Sequence, residues 1–304
     1  MIEYLNAGAL ITWRAQTITS LTDNQSIDIF GAGAIAHNGV LYFFGRTSNT
    51  NQFATYNLTT GVWWVGAMPY SFNFPSCAVY NNEIYIGAGD ISPTVNLVKY
   101  NPAQNTWTQL AQTTDAYTSK STLTCVGSKL YLLDRTVDGG PVIWVRFRVY
   151  DIPTNTWSII QAPSVAEGGP AWRFYHGAAA LNGIIYFNGG YDWIAPYPEK
   201  ADLWSYNTIT GQWLQLPASP SVHTHNMVCV GSELYLVTYI GITWGYNPRI
   251  KKWRQFNKTP HSLVGWGQMT IALDENTFIF GGGCPRYSEG IYVSPGKFMR
   301  VSLR

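Results

Sequence analysis

Tyr56-Asn57-Leu58-Thr59-Thr60-Gly61-Val62-Trp63 and Tyr100-Asn101-Pro102-Ala103-Gln104-Asn105-Thr106-Trp107 are two copies of one pattern: a Tyr, then Asn, and a Trp seven residues beyond the Tyr. Tyr150-Asp151 to Trp157, Tyr206-Asn207 to Trp213 and Tyr246-Asn247 to Trp253 repeat it, with Asp for Asn once. Chance placement of 20 Tyr and 13 Trp in 304 residues gives about one such pair, whereas the chain holds seven. Only Tyr186/Trp193 and Tyr197/Trp204 stand outside the register. Each in-register copy reads as a hairpin, an apolar strand ending in Tyr, a turn of Asn, Pro, Gly and Thr, and a return strand carrying Trp. The spacing sets the two rings opposite each other, where cross-strand aromatic pairs stabilise a hairpin.

Working outward, a continuous apolar run precedes each hairpin: Leu41-Tyr42-Phe43-Phe44, Ile84-Tyr85-Ile86, Leu130-Tyr131-Leu132-Leu133, Ile185-Tyr186-Phe187, Leu234-Tyr235-Leu236-Val237 and finally Phe278-Ile279-Phe280. Such runs suit strands buried on both faces. Turn residues lie before them, among them Asn38-Gly39, Asn81-Asn82 and Asn182-Gly183, and before those come small-residue strands such as Gly177-Ala178-Ala179-Ala180 and Ser76-Cys77-Ala78-Val79. Small side chains belong where strands converge. The unit is therefore four strands, a to d. Its strand-b aromatics at 42, 85, 131, 186, 235 and 278 make six units of roughly 47 residues, the sign of a six-bladed β-propeller of four-stranded antiparallel blades.

The sixth unit lacks an outer strand, since no Trp follows Phe298-Met299-Arg300-Val301-Ser302-Leu303. An orphan Trp stands at the other end, in Ile11-Thr12-Trp13-Arg14-Ala15. The expected solution is a last blade of three C-terminal strands and one N-terminal strand, so that residues 1–18 close a single propeller domain spanning 1–304, with the six blades in 19–304. Closure removes the exposed edges of an open arc of sheets. The turn-aromatic-Tyr-Trp pattern, with Gly189-Gly190 and Gly281-Gly282-Gly283 ending strand b in two units, resembles the Kelch repeat. Four units depart from it, with Gly45-Arg46, Gly87-Ala88, Leu133-Asp134 and Val237-Thr238 where the Gly doublet would stand. The resemblance implies a divergent, stand-alone Kelch propeller of the kind that forms the central domain of galactose oxidase.

Composition narrows the function. Charged residues make up 12% of the chain, about half the usual share, while aromatics make up 15%. A hydrophobic fraction of 46% excludes a disordered chain. The net charge is +2 with scattered basic residues, which argues against nucleic acid as a partner. No apolar run reaches the ~18 residues of a membrane span, and Met1-Ile2-Glu3-Tyr4-Leu5-Asn6 is not a secretory leader. Cys77, Cys125, Cys229 and Cys284 are far apart, three of them in apolar runs, and read as reduced core thiols. The expectation is a cytoplasmic protein, monomeric outside any larger assembly, with a virion component as the other setting its uncharged aromatic surface suits.

Strand parity fixes where function sits. The b–c and d–a connections emerge on one face and the short a–b and c–d turns on the other. The long loops, 134–145, 158–175 and 191–201, all lie on the b–c/d–a face, and long loops on a rigid scaffold carry binding groups. Ala32, Pro75, Ser121, His176, His225 and Gln268 are placed at the channel mouth on that face, with Arg173, Tyr175, His223 and Trp266 beside them. The ends of strand b add Arg46, Asp90, Asp134, Arg135, Asp192, Tyr239 and Arg286. Trp144, Trp172, Trp193 and Trp266 are off the repeat register and are expected to offer stacking surfaces. Aromatics with Arg, Asp and His around a concave mouth suit a sugar, a carboxylate or a peptide loop. Against this, Kelch repeats often carry Arg and His at the positions of Arg173 and His176 for hydrogen bonds that hold the fold together.

Two classes of function follow. The first is a non-catalytic recognition module for a protein or glycan, needing no cofactor or metal. The second is a carbohydrate-active enzyme at the same face. Kelch-type sialic acid mutarotases make an acid–base role for Arg173, His176, His225 and a rim Asp conceivable by resemblance. Tyr175-His176 is also similar to the adjacent copper ligands of galactose oxidase, but that chemistry needs a Cys cross-linked to a Tyr, and Cys77 is the nearest cysteine to the mouth.

Overall fold

The computed structural model describes residues 14–19, 29, 31–45, 51–87, 97–113, 121–135, 145–191, 198–222, 224–238, 241–256, 269–281, 287–288, 291–292 and 298–303. They form six four-stranded antiparallel sheets. Blade 1 is Gly33–His37, Val40–Phe44, Gln52–Asn57 and Trp63–Ala67. Blade 2 is Ser76–Tyr80, Glu83–Gly87, Val98–Asn101 and Thr106–Gln109, and blade 3 is Leu123–Val126, Lys129–Arg135, Val145–Asp151 and Thr156–Gln161. Blade 4 is Gly177–Leu181, Ile184–Asn188, Leu203–Asn207 and Trp213–Leu216, and blade 5 is Thr224–Val230, Glu233–Thr238, Thr243–Asn247 and Lys252–Gln255. Blade 6 takes Met269–Asp274, Thr277–Gly281 and Phe298–Ser302 from the C-terminal end and Arg14–Thr19 as its outer strand. The three-plus-one closure is thus present, with Arg14 opposite Ser302 and Thr17 opposite Met299.

The Tyr–Trp spacing does what the hairpin reading requires. Tyr56, Tyr100, Tyr150, Tyr206 and Tyr246 each stand directly opposite Trp63, Trp107, Trp157, Trp213 and Trp253. Ring centroids are 4.5 to 5.2 Å apart in all five pairs. The Asn or Asp after each Tyr caps the turn: Asn57 Oδ1 accepts from the Thr59 and Thr60 amides at 2.9 Å, and Asn207 Oδ1 from Ile209 and Thr210 at 2.9 and 3.0 Å. Two outer tryptophans tie one blade to the one before it. Trp157 Nε1 donates to Ala111 O at 2.7 Å and Trp253 Nε1 to Pro217 O at 2.9 Å.

The strand-b runs are buried on both faces because each blade is clamped between two others. Alternate residues serve opposite seams: Tyr42 and Phe44 pack on blade 2, while Leu41 and Phe43 pack on blade 6. Six such apolar clusters fill the six seams, and the cluster of Leu41, Phe43, Ala54, Ile279 and Phe298 closes the ring between blades 6 and 1. Burying one such side chain contributes about 1.5–3 kcal/mol, which makes each seam a substantial share of the fold's stability. The inner strands contact their neighbours around the whole ring. Their small residues are required by this crowding. A Cβ at Gly177 would lie 2.7 Å from the Asn226 and Met227 backbone, and one at Gly33 2.6 Å from Pro75 O.

Blade 6 departs from the sequence reading in one detail. Thr277 pairs with Asp274 at the a–b turn, so Ile279, two residues on, holds the strand-b Tyr position and Phe278 the position of Leu41. The aromatic at 278 is one residue out of register, and a strand irregularity between Ala272 and Asp274 accompanies the change. The b–c connection of this blade also carries a short hairpin, Tyr287–Ser288 with Ile291–Tyr292, that the repeat pattern does not encode. Strand d of blade 3 runs to Gln161, so the loop expected from 158 starts at 162. It holds a single 3-10 turn, Val165–Glu167, capped reciprocally by Ser164 and Glu167.

Candidate functional site

The described part of the channel mouth is built by the d–a connections that enter blades 1 to 4, and those of blades 1, 2 and 4 share one backbone turn. Two residues before each of those three inner strands the backbone turns left-handed, with φ of 74° at Gly31, 51° at Phe74 and 57° at Tyr175. Glycine adopts that conformation freely, whereas a bulky aromatic there is an outlier held by its surroundings. Phe74 and Tyr175 belong to blades 2 and 4, which are not neighbours, yet their rings meet edge to face at 6.3 Å and 80°. Because both residues stand at the channel ends of inner strands, this contact reaches across the mouth. The Phe74 ring also lies on Gly31, where a Cβ would be 2.7 Å from its Cε1.

The aromatic surface continues into blade 4. Tyr175 stacks on Tyr191 at 5.2 Å and 11°, and Tyr191 meets Phe174 at 3.9 Å. Phe174 and Tyr191 exchange backbone hydrogen bonds of 3.2 and 3.1 Å. That pairing depends on Gly190, where φ is 77° and a Cβ would sit 2.4 Å from Phe174 O. The Gly189-Gly190 doublet therefore lets the entering loop press against the exit of strand b.

Beneath this surface lie the polar residues. Arg173 is 1% exposed and grips Asp202 with both ends of its guanidinium, Nη1 to Oδ1 at 2.7 Å and Nη2 to Oδ2 at 2.5 Å. Its Nε donates to Ala171 O at 3.2 Å. Trp204 Nε1 donates to Asp202 Oδ2 at 2.6 Å. Burial opposes ionisation of Asp202, but the Arg173 guanidinium and the Trp204 N–H outweigh it and hold the carboxyl below its ordinary value. His176, also 1% exposed, bonds through Nε2 to Thr122 Oγ1 at 3.0 Å, joining blade 4 to blade 3. Burial, reinforced by the nearby Arg173 charge, lowers its pKa to about 3, so the imidazole is neutral. Its Nδ1 is buried and has no hydrogen-bond partner among the described residues.

These positions decide several of the sequence expectations. Trp172 does not offer a stacking face: it is 6% exposed, packed in the blade 3–4 seam with Phe174, because the long loop folds back onto the blades. Arg173 and His176 are buried, bonded to Asp202 and Thr122 respectively. Tyr175 stands two residues before the inner strand of blade 4. Arg135 is the last residue of strand b in blade 3, and His225 the second of strand a in blade 5. Arg46, Asp90, Asp192, Trp193, His223, Tyr239, Trp266, Gln268 and Arg286 lie outside the described residues. Reasoning from sequence missed Phe74, Tyr191 and Asp202. A signal existed for Phe74, which stands in its blade where Tyr175 stands in blade 4.

The enzyme readings are tested by the same atoms. A general base is useful when its pKa lies near the working pH, and an imidazole held near 3 is a weak one. Arg173 is saturated by Asp202. The copper set does not fit either: burial pushes the Cys77 thiol far up, and Cys77 packs into the blade 1–2 seam. Among the described residues no three His, Cys, Asp or Glu side chains converge as metal ligands, and no helix is long and apolar enough to cross a membrane.

Comparison with known proteins agrees with the architecture. The family model of the KLHDC2/KLHL20/DRC7 Kelch-repeats domain matches residues 76–282, more than half of the chain. Kelch-like protein 23 of Mus musculus is 26% identical over 200 residues, and Kelch domain-containing protein 10 of Homo sapiens is 25% identical over 238. The matches cover 60% and 68% of this chain but only 33% and 52% of those proteins, so the chain spans a third to a half of the relatives it matches. The solved structure of YjhT superposes with a TM-score of 0.66 at 12% identity, covering 90% of this chain and 95% of that one, which is agreement in fold. With its six blades, its interlocked termini and its repeated Tyr–Trp hairpins, the chain belongs to the KLHDC2/KLHL20/DRC7 Kelch-repeats domain family.

Proposed function

We propose that this propeller is a non-catalytic recognition module that takes a protein segment at the channel mouth on its b–c/d–a face. The observation that carries the reading is the pair Phe74 and Tyr175, two aromatics in left-handed backbone that touch across the mouth. Such strain costs of order 1–3 kcal/mol per residue and concentrates at functional sites, because ordinary packing offers cheaper ways to seat an aromatic ring. Phe and Tyr rings give a partner large contact area with few rotatable bonds to freeze, and Tyr adds a hydroxyl for hydrogen bonding. The polar groups beneath are already satisfied or neutral, which favours contact recognition over proton transfer. The family relationship supports the same role by fold-level analogy.

The test is selection of displayed peptides on the purified propeller, with a glycan array in parallel, each repeated on a Phe74→Gly/Tyr175→Gly double variant. Glycine suits the backbone at both positions while removing the rings. The proposal expects selected peptides to bind the parent at least tenfold more tightly than the variant. Peptides that bind both proteins equally would move the site elsewhere, and ring-dependent binding seen only to glycans would overturn the protein ligand.

A further inference from the structure

We propose that the seam between blades 6 and 1 holds a second binding site, on the opposite, short-turn face, for a small α-amino or α-hydroxy carboxylic acid. A cavity of about 520 Å³ opens there. It is lined by the apolar Ala36, Leu58 and Leu273 and by Gly39, His37, Asn38, Thr59, Asp274 and Arg300. The volume suits a small molecule, and the polar share of the lining suits a polar one.

The register of the blades shows why Arg300 stands apart. It pairs with Ile279 as Lys99 pairs with Tyr85 in blade 2, so the two cations hold the same place in their blades. Lys99 is neutralised by Glu83, the first residue of strand b, at 2.8 Å. The first residue of strand b in blade 6 is Thr277, which brings no charge. Arg300 is consequently an exposed guanidinium with no ion-pair partner among the described residues, facing into a cleft in a chain that has few charges. Asp274, at the end of the inner strand of the same blade, also lines the cavity, and among the described residues it forms no ion pair with Arg300. One oxygen of Asp274 accepts the Asn276 amide at 2.8 Å. A cation and an anion that line one cavity without pairing match a ligand that carries both a carboxylate and an amine or hydroxyl donor. Asn38 and Thr59 add neutral hydrogen-bonding groups, and Ala36, Leu58 and Leu273 give a short carbon chain apolar contacts.

The ligand would touch both ends of the chain's ring, blade 1 and the blade completed by the N-terminal strand, so binding also clasps the closure. Melting of the purified full chain, followed with L-serine, DL-lactate, sodium acetate or sodium sulfate, reads this out. Serine or lactate at ~100 times its dissociation constant raises the melting temperature by about 4 °C for a domain of this length. Acetate and sulfate, which have no hydrogen-bond donor for Asp274, give less than half that shift. Arg300→Gln abolishes the shift for every acid while leaving the ligand-free melting temperature within ~1 °C, because the exposed, unpaired side chain holds little of the fold. Asp274→Asn reduces the serine and lactate shifts to the acetate level. Tyr175→Gly, on the other face, leaves all shifts unchanged. Equal shifts in the parent and Arg300→Gln, shifts as large with acetate or sulfate as with serine, or no shift with serine or lactate at millimolar concentration would overturn the proposal.

Discussion

Replacing Tyr175 by glycine and, separately, by alanine separates backbone strain from ring contact. At an ordinary strand or loop position glycine is less stable than alanine by about 0.5–1 kcal/mol, because its unfolded chain has more freedom to lose. Tyr175 has φ of 57°, where any residue with a Cβ pays about 1–2 kcal/mol. Glycine escapes that cost and alanine keeps it, so the order reverses and the glycine variant is the more stable by about 0.5–1 kcal/mol. Both variants lose the edge contact to Phe74 and the stack on Tyr191, each worth about 0.5–1.5 kcal/mol. Parent, glycine and alanine should therefore unfold in urea in that order of decreasing stability, with slopes unchanged. Fluorescence-detected urea titration of the three proteins resolves it. An alanine variant more stable than the glycine variant would refute the argument, since residue 175 would then not sit in left-handed backbone.

Other substitutions test the surrounding framework. Arg173→Met leaves Asp202 facing a buried site without its guanidinium, at a cost of about 3 kcal/mol, the low end for a broken buried pair because the Asp202 side chain keeps 24% of its surface. The folded-state pKa of Asp202 is lowered, so the pair's contribution is complete above the unfolded carboxyl's value near 3.9 and fades as pH falls through the folded value. The gap in melting temperature between parent and Arg173→Met should accordingly be widest near pH 7 and shrink below pH ~4; a gap that grows in acid would contradict the assignment. Gly177→Ala places a methyl group 2.7 Å from backbone that has no room to yield, and a loss of about 1–3 kcal/mol is expected in denaturant titration despite alanine's better strand propensity. Removing residues 1–19 strips the outer strand from blade 6 and exposes the edge of Phe298–Ser302; circular dichroism should show loss of cooperative unfolding, and an unchanged melting curve would refute the closure.

Local repetition made the fold readable. A fixed turn length between Tyr and Trp forces the same cross-strand pair in five blades, and an orphan Trp at one end with a missing outer strand at the other left one way to close the ring. The reading slipped by one residue at Phe278 because it followed the aromatic rather than the turn. The two-residue turn after Asp274 sets the count, and it puts Ile279 in the Tyr position. The site was less legible, for a tertiary reason. Trp172 reads as a loop residue in sequence but lies under a loop that folds back onto its own blades. Phe74 and Tyr175 are 101 positions apart in the chain, and although their neighbours Pro75 and His176 read as mouth residues, no local pattern encodes the contact between the two rings. Asp202 was unremarkable until its partner Arg173 was found buried beside it.

Hydrogen–deuterium exchange of the propeller, free and saturated with a peptide selected on it, tests recognition at the mouth. Protection confined to residues 72–76 and 171–177, with the turns at 37–40 and 58–62 unchanged, is expected. Protection of those turns, with 72–76 and 171–177 exchanging as in the free protein, would contradict it.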